Sequence, residues 1–237
     1  MTTHHKVRRR SGRQSISMRQ AAIIGGVAVL AVAVLIGLNL AQPRPGLDLT
    51  GPFPYPTGVT PEGEPYRGSP DAPLQLIEYS DFLCPHCAEM SNALTALAPD
   101  YIQTGKLRVI FRNFAFLTPE STAAAEASEC ALNQGADKFW HYHDLSYARQ
   151  GDGLSAYTPT QLKAYAAEMG LDTTAFNTCL DSQATLSKVQ ADVNEGTSQG
   201  VKATPTWFLN GQMEEGAMTE AELRTLFDDT LAKTKGS

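Results

Sequence analysis

The stretch "IEYSDFLCPHCAEM", Ile77–Met90, places two cysteines, Cys84 and Cys87, two residues apart behind an apolar run, with Pro85 and His86 between them. Such a pair serves as a metal clip, a structural staple or a couple that opens and closes. A four-ligand zinc site needs two further ligands, usually a second closely spaced Cys/His pair. The remaining cysteines, Cys130 and Cys179, stand singly and far apart and supply no such pair. A permanent bond across two residues removes little chain entropy, so the staple reading fails as well. A working redox pair remains.

The flanks support it. "PLQLIEYSDF" alternates apolar residues at Leu74, Leu76 and Ile77 with Tyr79 and reads as a buried strand. From Pro85 to about Gln103 the apolar residues Met90, Leu94, Leu97 and Ile102 predict a helix, with Pro85 at the first helical position, where a missing N–H costs nothing. Cys84 then sits at a helix start, where unpaired N–H groups and the macrodipole favour a thiolate. Thiols so placed reach pKa values of about 3.5–7.5, and His86 adds a donor or a positive charge nearby. A stabilised thiolate stabilises the dithiol, so the disulfide becomes an oxidant, by about 30 mV for each 1.4 kcal/mol. Cys87, one turn inward, resolves the mixed disulfide. Glu78 lies on the preceding strand, where a buried carboxylate is costly unless paired or functional. Beneath the thiols it could accept and return the proton of Cys87; its alternative place is a solvent-facing strand end.

Outward from this centre, "KLRVIFRNFAF" predicts a second strand with Leu107, Val109 and Phe111 on one face, and strand–helix–strand order implies a parallel right-handed crossover. Residues 118–200 then read as an all-helical block of five segments separated by Gly, Pro, Asp and Thr. Strand character returns in "PTWFLNGQMEEG", where Asn210-Gly211 is a strong hairpin signal. A last helix opens with Thr219 and Glu222 in capping-box spacing. The fold class expected is α/β, with one compact domain, 71–117 and 201–237, interrupted by the helical block.

At the other end, 1–20 is a basic tail, and "AAIIGGVAVLAVAVLIGL", from Ala21 to Leu38, carries no charge. As a helix this run, extended slightly by Leu40 and Ala41, spans roughly 27–31 Å, enough to cross a bilayer, so 21–41 reads as one transmembrane signal anchor. The basic tail places the N-terminus in the cytoplasm and the body outside. The competing reading is a cleaved signal peptide with "LNLAQ" as the processing site; the run is longer than a usual signal core. Residues 42–70 are dense in Pro and Gly and read as a tether; Phe53, Tyr55 and Tyr66 read first as parts of a solvated spacer, with contact to the domain as the alternative. Beyond residue 40, 13 Lys+Arg face 25 Asp+Glu, and so acidic a body argues against nucleic acid as a partner. Four cysteines in an exported chain permit disulfides.

"EYSDFLCPHC", the helical block containing "FWHYHDLSY", and "GVKATPTWFLNG" together resemble the DsbA-like thiol:disulfide oxidoreductases, over about Ala72 to Lys233. The resemblance implies a thioredoxin fold with an inserted all-helical domain. It also implies that Pro205 is cis and faces the cysteines, and that Thr204 offers backbone hydrogen bonds to a substrate peptide added as a strand. The simplest members of that family have only the active pair. Here Cys130 and Cys179 lie in helical segments, and a bond between them would close a loop worth roughly 4 kcal/mol. A structural disulfide is expected, with two free core thiols or a redox relay as alternatives. His141 and His143, at i and i+2 on a helix, are badly spaced for one ion, and no metal or separate cofactor is expected.

The expected activity is that of an extracytoplasmic oxidase passing the Cys84–Cys87 disulfide to exported proteins with free thiols. Its reoxidant, by resemblance, is a quinone-linked membrane protein of the DsbB or vitamin K epoxide reductase type. Two rivals stay open: a reductase or isomerase on the same fold, and a holdase that grips unfolded chains through the Pro205 groove.

Overall fold

The computed structural model describes residue 49 and residues 51–234. The basic tail and the expected membrane-spanning segment lie outside the described residues. Among the described residues no helix is long and apolar enough to cross a membrane.

Strands β1 (Thr57–Val59), β2 (Pro65–Arg67), β3 (Leu74–Ser80), β4 (Leu107–Asn113), β5 (Thr206–Leu209) and β6 (Gln212–Glu215) form one sheet in the order β1-β2-β4-β3-β5-β6. The helices are α1 (Pro85–Tyr101), α2 (Pro119–Leu132), α3 (Ala136–Ala148), α4 (Pro159–Glu168), α5 (Thr173–Asp181), α6 (Leu186–Ser198) and α7 (Glu220–Thr234), with a 3₁₀ segment at Gln150–Tyr157. Strands β3 and β4 run parallel across the α1 crossover, as expected. The Asn210-Gly211 turn joins antiparallel β5 and β6, with φ of 49° and 84°, the left-handed pair that a tight hairpin requires. Thr219 N–H donates to Glu222 Oε2 at 2.8 Å and Glu222 N–H returns a bond to Thr219 Oγ1, closing the capping box before α7.

Side chains alternate across a strand, so the two faces of β3 differ. Leu74 and Leu76 belong to the main apolar cluster, together with Leu94 and Leu97 of α1 and Leu223 and Phe227 of α7. On the opposite face Ile77 and Tyr79 pack with Phe114, Val201, Phe208 and Val193 of α6. Glu78 and Ser80 continue the row begun by Leu74 and Leu76, so the strand carries them beneath α1.

The expected tether, 42–70, needs correction over its second half. Residues 57–59 and 65–67 are strands, paired so that Tyr66 lies opposite Ile110 of β4, and the sheet domain therefore begins well before residue 71. Three-residue strands are too short to show alternation, and Pro65 opens its strand, a position where proline is tolerated. Gly68, at φ 104°, turns the chain so close to β4 that a Cβ there would lie 2.3 Å from Leu107 O. Nor are the aromatic residues a solvated spacer, because Phe53 stacks on His141 at 4.4 Å and on Tyr55 at 5.4 Å. The helices between β4 and β5 occupy the predicted segments, and α3 packs against β1 and β2.

Candidate active site

The sheet brings the site together. Because β5 runs antiparallel to β3 with Thr206 opposite Tyr79, the residues before β5 lie beside the carboxyl end of β3, where the Cys84 turn begins. The Thr204–Pro205 peptide bond is cis, and the Cys84 thiol donates to Thr204 O at 3.2 Å. Cys84 is the N-cap of α1, at φ −77° and ψ 119°, and Pro85 opens the first turn.

Cys84 and Cys87 are both free thiols, and their environments pull them apart. Cys84 is brought down to about 5. The main cause is the hydrogen bond from the Cys87 thiol, opposed by burial and reinforced by the Thr204 hydroxyl and by the N–H groups of Cys87 and His86. Thr204 thus acts in two senses: its hydroxyl favours the thiolate, while its carbonyl receives the S–H of the thiol. Cys87 is fully buried, and burial, its bond to Cys84 and the charge of Glu78 hold it protonated far above the ordinary thiol range. The His86 ring points outward, its Nδ1 2.9 Å from Glu89 Oε2, and Glu89 raises its proton affinity. The backbone N–H of His86, rather than its ring, is what the residue offers Cys84 directly.

Glu78 is 2% exposed, so the solvent-facing alternative fails. Burial raises its carboxyl to about 7, against the opposing pull of the Ser80 hydroxyl and of Arg67. Ser80 Oγ donates to Glu78 Oε1 at 2.9 Å and lies 2.8 Å from the Tyr147 hydroxyl. Arg67, from β2, is itself buried, lies over Trp140 at 4.5 Å and is 3.7 Å from Asp144 Oδ1. Both expected non-ligand histidines are engaged in the fold: His143 bonds Asp144 at 2.7 Å, and His141 bonds the Gly51 carbonyl at 2.9 Å.

Sequence reasoning missed five supports of this site. Gln150 donates through Nε2 to Phe82 O and Cys84 O, both at 2.9 Å, and the Tyr157 hydroxyl donates to Phe82 O at 3.0 Å. Asp81 accepts from Leu83, Phe116 and Leu117 N–H groups and so ties the cysteine loop to the loop after β4. Ser80 could have been found, since it follows Glu78 by two residues and shares its face. Arg67 carried no signal once its segment was read as a tether. Cys130 of α2 and Cys179 of α5 form a disulfide, with Cα atoms 5.9 Å apart.

A sequence profile described as thioredoxin matches residues 60–229. The chain belongs to the thioredoxin family. Within it, the likeness to the DsbA-like oxidoreductases extends to the solved structure of oxidised BdbD from Bacillus subtilis. That structure superposes with a TM-score of 0.67 at 26% identity, over 75% of this chain and 98% of that one. The probable disulfide bond formation protein D of Bacillus anthracis is 29% identical over 150 residues, 62% of this chain and 69% of its own length. The Na(+)/H(+) antiporter NhaA 1 of Salinispora arenicola is 32% identical over 179 residues, 75% of this chain but only 26% of the antiporter. The thioredoxin-family chain described above thus spans about a quarter to a third of the length of the antiporters it matches.

Proposed function

We propose that this chain is an extracytoplasmic thiol:disulfide oxidoreductase that donates the Cys84–Cys87 disulfide to exported proteins carrying free thiols. The observation behind the reading is the placing of the pair: Cys84 caps the start of α1 beside the Thr204 carbonyl, where its thiol is brought down to about 5, and Cys87 is buried one turn on, where it keeps its proton. A dithiol stabilised in this way makes its disulfide an oxidant.

A substrate thiolate attacks Cys84 Sγ, the Cys84–Cys87 bond breaks, and Cys87 leaves as a thiolate. Glu78, protonated to about pH 7, gives Cys87 its proton. A second substrate thiolate then attacks the substrate sulfur of the mixed disulfide and expels Cys84, whose low proton affinity makes it a good leaving group. Two electrons pass from the substrate dithiol to the enzyme. An extended substrate peptide would lie along Thr204 and Pro205 beside Cys84 as an added strand. Return to the disulfide draws on an oxidant of the quinone-linked DsbB or vitamin K epoxide reductase type, and no separate cofactor is needed.

The charge-free run from Ala21 to Leu38 behind a basic tail supports a membrane anchor with the domain outside, and the Cys130–Cys179 disulfide accords with an oxidising compartment. Equilibration with glutathione tests the direction. A potential near the roughly −120 mV of DsbA is expected, and one near thioredoxin's about −270 mV overturns the oxidase reading in favour of a reductase. Cys87→Ala should trap exported proteins on Cys84 as lasting mixed disulfides.

A further inference from the structure

The acid beneath the cysteines is not held by its own strand alone. Ser80 has one hydroxyl hydrogen, and it is directed to Glu78 Oε1 at 2.9 Å. The 2.8 Å contact between Ser80 Oγ and Tyr147 must therefore carry the Tyr147 hydrogen toward Ser80. All three residues are buried. Burial above all, reinforced by the ionisable groups of Cys87, Glu78 and Asp81 beside it, keeps the Tyr147 phenol protonated and hence a donor. The other groups facing Glu78 are Arg67 from β2 and Cys84 and Cys87 from α1. Two hydroxyls, one of them delivered from the far end of α3, are thus aimed in series at one carboxyl group.

We propose that Ser80, oriented by Tyr147, is a positioning residue for the proton that Glu78 exchanges with Cys87. The inference rests on the oxidoreductase reading and adds to it the residues that govern its proton. When Cys87 leaves as a thiolate, the Glu78 carboxylic proton moves to Cys87 Sγ and Glu78 becomes a carboxylate. The Ser80 hydroxyl then donates to a full negative charge, a stronger bond than it makes to the neutral acid. In the return step the Cys87 proton goes back to the carboxylate and no other atom changes partner. The chain Tyr147–Ser80–Glu78 therefore favours the state in which Cys87 has received its proton, and it holds the receiving oxygen in place for the return.

The test follows the infrared carbonyl band of protonated Glu78 in the reduced protein, assigned by its loss in Glu78→Gln. The band is titrated in the wild type, Ser80→Ala, Ser80→Thr and Tyr147→Phe, beside the pH profile of dithiol–disulfide exchange. The wild-type midpoint should lie near 7. Ser80→Ala should raise it by about one pH unit, Tyr147→Phe by less, and Ser80→Thr should stay near wild type. The inflection of the exchange rate should move with the midpoint. An unmoved midpoint in folded Ser80→Ala overturns the proposal, and so does a shift in Ser80→Thr as large as in Ser80→Ala. A midpoint that moves in a chain showing no exchange at any pH overturns the functional reading instead, and leaves the coupling of Ser80 to Glu78 standing.

Discussion

Glu78 occupies a place that the pattern Leu74, Leu76 reserves for an apolar side chain, and its proton records the cost. The folded protein holds that proton to about 7, whereas an unfolded chain releases it near 4.5, as an ordinary glutamate does. The fold therefore binds more protons between these values and loses stability as pH rises through that window, by about 3 kcal/mol in all. Glu78→Gln should then be more stable than wild type by about 1–3 kcal/mol at pH 8 and nearly equal at pH 4, as read from guanidinium unfolding of the two proteins. Cys84 behaves in the opposite sense: its depressed proton affinity favours the reduced fold above about pH 5, and this is lost as pH falls through that value. Thiolate absorbance should titrate near pH 5 in the wild type and vanish in Cys84→Ser. Cys84, Cys87 and Glu78 were legible because each breaks a local expectation, two as a spaced pair and one as a charge in an apolar row. Tyr147 was not, since its partner Ser80 lies 67 residues away and only the fold joins them.

Elements long enough to show a period were legible in the sequence; short ones were not. Helices α1 to α7 fall where caps and apolar spacing put them, while β1 and β2 were hidden by their length and by the Pro and Gly around them. The 3₁₀ segment was missed for the same reason, and it holds the cysteine loop through Gln150. Gln150→Ala should lose about 1–2 kcal/mol of stability and speed amide exchange at Cys87 and Ala88, whose N–H groups bond the same Cys84 carbonyl. Helix α6 approaches the sheet through Gly196, where an added Cβ would lie 2.9 Å from both Tyr79 and Phe114. Gly196→Ala should cost about 1–3 kcal/mol in denaturant unfolding, because neither ring is the flexible end of a side chain.

At the scale of the molecule, the Cys130–Cys179 disulfide closes a loop across a sequence separation of 49 and joins α2 to α5. The Cys130→Ser/Cys179→Ser variant should lose up to about 4 kcal/mol of unfolding free energy, with thiol exchange at Cys84 retained in a folded sample. The chain enters the domain at the opposite border of the sheet from the hairpin β5–β6. There His141 grips Gly51, Phe53 lies on the same ring, and β1 clasps β2 before β2 reaches β4. Arg67 is thereby paired through its backbone with Thr57 of the entering strand on one side and Val109 of β4 on the other, while its guanidinium lies over Trp140 and near Asp144. The point where the chain enters the sheet and the buried proton thus share one residue, since the Arg67 that pairs with Thr57 is also the cation that opposes the raised proton affinity of Glu78.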